Sequence, residues 1–102
     1  MVLYSVTVNV DKDIEEEWLD WMKTSHIPKV LNTGMFKEYK MFRLLNEESG
    51  VEGTTFSIQY FAEDINKINE YLENHAPDLI NEHYEKYKDR HVSFRTLLEQ
   101  IV

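Results

Sequence analysis

The chain has 102 residues, 42% of them hydrophobic and 13% aromatic, which suits one domain with a packed core and argues against intrinsic disorder despite the 29% that are charged. The net charge is −8 and the 11 basic residues form no dense patch, so nucleic acid and anionic membrane, both of which demand clustered Lys and Arg, are excluded as partners. With no cysteine there can be no disulfide, thiolate metal site or cysteine nucleophile, and the composition fits a cytoplasmic location. The first residues lack the basic region and cleavage site of a signal peptide, and no apolar run approaches the ~20 residues that span a bilayer.

Residues 2–10 alternate strictly. Val2, Tyr4, Val6, Val8 and Val10 form an apolar face, and Leu3, Ser5, Thr7 and Asn9 the other, which predicts a strand with one buried side. Asp13 and Glu16 match an acidic form of the capping box, and Glu15 to Glu17 suit the positive end of a helix dipole. The helix that follows places Ile14, Trp18, Trp21, Met22 and Ser25 on one side. Pro28 disfavours helical geometry at Ile27, so a break is expected near His26, then a short turn from Pro28 to Asn32 that stops at Gly34. Phe36 to Leu45 reads as a second strand with charges on both faces, hence an edge strand. Asn46 to Gly53 is a polar turn, and Thr54 to Ala62 a third strand with Phe56, Ile58 and Tyr60 on its apolar face. Asp64 can cap a second helix carrying Ile65, Ile68, Leu72, Leu79 and His83, interrupted at Ala76-Pro77. His91 to Ile101 is the last strand.

The order is βαββαβ. The two helix interruptions echo one another, His26-Ile27-Pro28 against His75-Ala76-Pro77, which suggests two similar halves. The expected fold is α+β and ferredoxin-like: one domain over residues 1–102, a four-stranded antiparallel sheet with the first and third strands central, and two helices on one face. The other face then carries Leu3, Ser5, Thr7, Asn9, Thr55, Ser57, Gln59 and Phe61 on its central strands, without a charge. A sheet open to water would use Lys and Glu there. Small neutral polar groups fit a surface covered by a second copy, a homodimer whose two sheets enclose a barrel-like space. A monomer with a solvated sheet, its Thr and Ser present for β-propensity, is the alternative.

Candidate binding residues follow from that space. Thr7, Asn9, Ser57 and Gln59 would line it, the register could aim Ser93 and Arg95 into it, and His26 would stand at its mouth. A guanidinium in a neutral cavity requires a partner, either a ligand carboxylate or phosphate or an internal acid such as Glu99, unless its edge position lets it reach water. His26 could move protons near neutral pH, or its ring could cap free helix carbonyls, with His75 doing the same at the second break. His83 falls on the inner side of the second helix, as a buried helical histidine or a haem or metal ligand. No histidine pair has ligand spacing, so no metal site is expected. No nucleophile elbow or phosphate-cradling glycine loop is present, and no cofactor is implied.

The segments Tyr4 to Asp11, Glu17 to Met22, His26-Ile27-Pro28, Thr33 to Phe36, Thr54 to Phe61, His75-Ala76-Pro77 and Val92 to Glu99 together resemble the domain-of-unknown-function family 4286. The resemblance implies a ferredoxin-like domain similar to the dimeric α/β-barrel proteins and brings no catalytic residues. That wider group includes cofactor-independent monooxygenases, isomerases and haem-degrading enzymes. The haem-degrading branch uses an asparagine on the first strand and a histidine on the second helix, places that Asn9 and His83 could occupy. Its second-helix tryptophan is absent here. The expected function is a homodimer that binds a small, anionic organic molecule in or beside the inter-sheet cavity. The alternatives are a small enzyme of the dimeric barrel type and a purely structural or regulatory dimer.

Overall fold

The computed structural model describes residues 1–46 and 52–102. Its strands are β1 (Val2–Val10), β2 (Glu38–Arg43), β3 (Thr54–Ala62) and β4 (His91–Glu99), in one sheet of order β2-β3-β1-β4 with every neighbouring pair antiparallel. The helices are α1 (Glu15–Trp21), α2 (Ile27–Leu31), α3 (Ile65–Asn74) and α4 (Ala76–Lys86). The α+β, ferredoxin-like arrangement is as expected, with β1 and β3 central. Among the described residues no helix is long and apolar enough to cross a membrane.

The core lies between the sheet and the helices. Tyr4, Val8 and Val10 of β1 and Phe56, Ile58 and Tyr60 of β3 meet Trp18, Met22, Ile27, Val30, Ile68 and Tyr71, all buried. Both strands bury the predicted face because side chains alternate with a period of two. β2 is shorter than expected. Phe36 leaves the strand and turns into the core, stacking on Tyr4 with ring centroids 6.0 Å apart. β4 likewise ends at Glu99.

Several local expectations are corrected. The first helix does not break near His26. It widens into a π-turn over Met22–His26 and continues as α2, and His26 and Ile27 keep helical dihedrals. Pro28 removes one N–H, and in a regular α-helix its ring would clash with the carbonyl of Thr24 four residues earlier. A wider turn relieves that contact without ending the helix. Asp13 does not cap α1: a 3₁₀ turn over Lys12–Ile14 precedes the helix, and Asp11 and Asp13 are held instead by Arg90. Neither His26 nor His75 forms a side-chain cap bond, so the paired-cap explanation of the His-x-Pro echo fails. Asp64 does cap α3, accepting from the Lys67 N–H at 3.1 Å. Gly34 takes the left-handed conformation expected of it, φ 80°. Gly53 does so too, φ 78°, and a Cβ there would stand 2.5 Å from the Val10 carbonyl oxygen. Gly50 lies outside the described residues.

Candidate functional site

The register of β4 decides where the site is. Arg95 pairs with Val6 and Ser93 with Val8, so both belong to the valine face that the helices cover. Thr7 and Asn9 face the other way, as do Ser57 and Gln59, which pair with Thr7 and Ser5. The expectation that Arg95 and Ser93 share one space with Thr7, Asn9, Ser57 and Gln59 is therefore wrong. Alternation across a paired strand sends neighbouring registers to opposite faces.

Ser93 and Arg95 line a small cavity between the sheet and the helices, about 20 Å³ in volume. Tyr4, Tyr60 and Ile58 form its floor, Tyr71 comes from α3, Ile80 and His83 from α4, and Met22 and His26 from the π-turn between α1 and α2. His26 thus stands in this cavity, not at the mouth of a space between sheets. The volume admits one water-sized group.

The cavity lining combines one cation, Arg95, with neutral phenols, imidazoles and apolar side chains. Arg95 Nε donates to Tyr4 Oη at 2.8 Å. No acidic side chain among the described residues pairs with Arg95, so the internal pair with Glu99 is not made. Burial raises the Tyr4 phenol, opposed by Arg95, and it pushes Tyr60 and Tyr71 above the ordinary tyrosine range. At neutral pH the three tyrosines are hydrogen-bonding phenols, not phenolates. Burial also drives His26 down to about 4, against the opposing pull of Glu82, and His83 down to about 3, helped by His91, His26 and Arg95. Both imidazoles are neutral near pH 7.

The histidines differ in what they have free. His83 Nε2 accepts from the Trp18 indole N–H at 2.9 Å, which fixes the tautomer with the proton on Nδ1. His91 sits edge-on to His83 with centroids 4.6 Å apart, and its Nδ1 lies 2.7 Å from the Tyr87 carbonyl oxygen, so that nitrogen is the donor. His26 packs against Trp21 at 5.3 Å and His83 at 5.7 Å, and its buried Nδ1 has no partner.

Asn9 is on the far side of the sheet from His83. Its amide donates to the Glu52 carbonyl and to Thr55 Oγ1, both at 3.1 Å. The two residues therefore stand on opposite sides of the sheet. Among the described residues no group of three His, Asp or Glu side chains could hold a metal ion.

The sequence reading missed the aromatic floor. Tyr4 interrupts an otherwise all-valine face and Tyr60 ends an apolar run, and a phenol in such a place signals a polar demand inside the core. Nothing local announced the Trp18–His83 bond, which joins residues 65 positions apart.

The open face of the sheet carries Thr7, Asn9, Ser57 and Gln59 near its centre. Apolar side chains surround them: Phe42, Val92, Phe94 and Leu98 are all exposed in the single chain. Glu38 and Lys40 confine charge to the outer strand β2.

Over residues 1–101 the chain matches the family described as Domain of unknown function (DUF4286). It belongs to that family. No curated protein matches it in sequence. Among solved structures it is similar to an EthD family protein from Bacillus halodurans, with a TM-score of 0.72, 9% identity, and 99% of this chain and 100% of that one covered. It is also similar to SnoaB, a cofactor-independent oxygenase from Streptomyces nogalater (TM-score 0.66, 12% identity, 99% and 93% covered). A third is the hydroxynitrile lyase of Passiflora edulis (0.62, 13%, 99% and 94%). At these identities the likeness shows the fold, the ferredoxin-like one of the dimeric α/β-barrel proteins, and leaves the chemistry open.

Proposed function

We propose that this DUF4286 protein is a homodimer that binds a small organic molecule carrying an anionic oxygen, and that the molecule sits in the pocket between the helices and the sheet. Arg95 carries the reading. It is a guanidinium beside a largely aromatic and aliphatic pocket, with one neutral hydrogen-bond partner, Tyr4, and no carboxylate partner among the described residues. A charge in that setting gains most from an anionic ligand. Arg95 is the exposed member of the lining and is held by one bond to protein, so its displacement opens the mouth at modest cost.

The homodimer rests on the open sheet face. Three strands of nine residues and one of six present a surface of about 500 Å² before side-chain relief, approaching the ~800 Å² per partner that stable interfaces bury. Its apolar rim and neutral centre suit a two-fold copy of itself. Thr7, Asn9, Ser57 and Gln59 become interface residues in this arrangement and leave the ligand set, whose members are Arg95, Ser93 and His26.

Light scattering should give about twice the 12.2 kDa chain mass. Ser57→Lys should give monomers, since it places an unpaired charge at the centre of the face. Thermal shift with a panel of small carboxylates should show stabilisation that Arg95→Met reduces, a loss of roughly 1.5–3 kcal/mol in binding. A monomeric parent refutes the assembly. A panel without effect, or one unaffected by Arg95→Met, refutes the pocket.

A further inference from the structure

The sheet has two free edges, β2 and β4, and only one of them is protected. β2 is six residues long and carries Glu38, Lys40 and Arg43, the short, charged kind of edge that resists pairing with another chain. β4 is nine residues long, contains no proline, and keeps an unbroken register with β1 from His91 to Glu99, without a bulge. Its apolar side chains are exposed on both faces. Val92, Phe94 and Leu98 lie on the open face, and Leu97, 45% exposed, on the helix side. A long, regular, apolar edge is a template for a further strand.

The free backbone groups of that edge can be assigned. Opposite residues in an antiparallel pair alternate between hydrogen-bonded and non-bonded. The Asp11 N–H donates to the Arg90 carbonyl at 3.1 Å and the Gln100 N–H to the Met1 carbonyl at 2.9 Å, so the even-numbered residues of β4 bond inward to β1. Ser93, Arg95, Leu97 and Glu99 therefore turn their N–H and C=O groups to the free edge. The same four share the helix-side face, and Arg95 and Glu99 are the only formal charges of the strand. They stand two residues to either side of Leu97. An antiparallel copy of β4 with its two-fold axis at Leu97 sets Leu97 against itself and Arg95 directly opposite the partner's Glu99, twice. No other centre does so: an axis at Arg95 opposes two guanidinium groups, and one at Thr96 faces Arg95 with the partner's Leu97.

We infer that β4 is a second self-association surface: two copies pair through it, antiparallel about Leu97, and join their four-stranded sheets into one. The pairing makes about six backbone hydrogen bonds between residues 95 and 99 of the two copies, and two opposite-charge pairs. The partner's Glu99 gives Arg95 the carboxylate that no described residue of its own chain supplies. This axis stands perpendicular to the sheet, whereas the axis of a face-to-face dimer lies parallel to it. The two interfaces are therefore compatible, and together they build a tetramer of two face dimers. The edge ladder is the smaller contact, so it forms at higher protein concentration. An anion bound at Arg95 competes with the partner's Glu99, and linkage makes that opposition mutual.

The chain has no cysteine, so single cysteines report the pairing. In Leu97→Cys the two facing Cα atoms would be about 5.5 Å apart, within disulfide reach. Tyr39→Cys is the control: on the same side of the sheet but on the protected edge, and comparably exposed, 37% against 45%. Under mild oxidation at high protein concentration, Leu97→Cys should give a covalent dimer on a non-reducing gel and Tyr39→Cys should give far less. Adding Glu99→Arg to Leu97→Cys should slow the crosslink by setting cations opposite each Arg95, and adding Arg95→Glu as well should restore it. Each variant is checked for folding by circular dichroism. Ser57→Lys, which breaks the face pairing, should leave the Leu97→Cys crosslink in place, so the two interfaces fail separately. A Leu97→Cys protein that crosslinks no better than Tyr39→Cys overturns the edge pairing. So does a rate that Glu99→Arg leaves unchanged, or one that the folded charge exchange does not restore.

Discussion

Acidification should destabilise this protein well before its carboxylates titrate, because His83 is buried and His26 half-buried, both as neutral rings. His26 is held down to about 4 and His83 to about 3, against an ordinary value of 6.5. As pH falls through 6.5 the unfolded chain takes up a proton at each ring, while the folded chain does so only near 4 and 3. In that window the unfolded state binds more protons, so stability falls with falling pH. The contribution is present above pH 6.5 and is lost on the way down. Between pH 7 and pH 5 it amounts to about 2 kcal/mol per ring, roughly 3–4 kcal/mol for both. Nearly all of the loss at pH 5 is set by the unfolded-state value, so an error of one unit in the folded values changes it little. The assay is urea denaturation at fixed protein concentration at pH 7, 6 and 5, which keeps any dissociation equilibrium constant. His83→Gln supplies a carbonyl for the Trp18 N–H without a titrating group and should remove about half the slope. A stability flat to within about 0.5 kcal/mol from pH 7 to 5, or a slope unchanged in His83→Gln, would refute the burial argument.

Trp18→Ala should cost roughly 3–5 kcal/mol by denaturant unfolding, through the cavity it leaves and the lost bond to His83. Gly53→Ala should cost more than about 1 kcal/mol by thermal unfolding, since it combines a left-handed backbone with a contact of 2.5 Å on the Val10 carbonyl. Asp64→Ala should cost about 1 kcal/mol by removing the α3 cap. A haem titration should give no Soret shift that depends jointly on Asn9 and His83, because the sheet lies between them.

The helical and strand faces were legible because they follow from local periodicity. The alternation of Val2 to Val10 placed Tyr4, Val8 and Val10 inside, and the same period in β3 buried Phe56, Ile58 and Tyr60. Trp18 and Met22 are buried as the helical spacing required, while Trp21 is only half-buried, its ring capped by the Lys86 ammonium at 5.6 Å. Asp64 was legible as a cap because its acceptor and the Lys67 N–H are three residues apart. Asp13 was not, because Arg90, arriving from just before β4, outcompetes the local bond for its carboxylate.

The sequence by itself determined the element order, the central strands, the apolar faces and the absence of cysteine chemistry, since each depends on composition or on spacings within one element. Only the tertiary structure decided which face Arg95 and Ser93 occupy, because the register between β1 and β4 is set by pairing across some 90 residues of chain, and a slip of one residue reverses it. It likewise decided that Asn9 and His83 are strangers, that His83 answers Trp18, and that Pro28 widens the helix. Each is a contest between a local preference and a partner brought from far along the chain, and in this protein the distant partner or the packed helix wins because burial leaves a polar atom or a strained turn no solvent to fall back on.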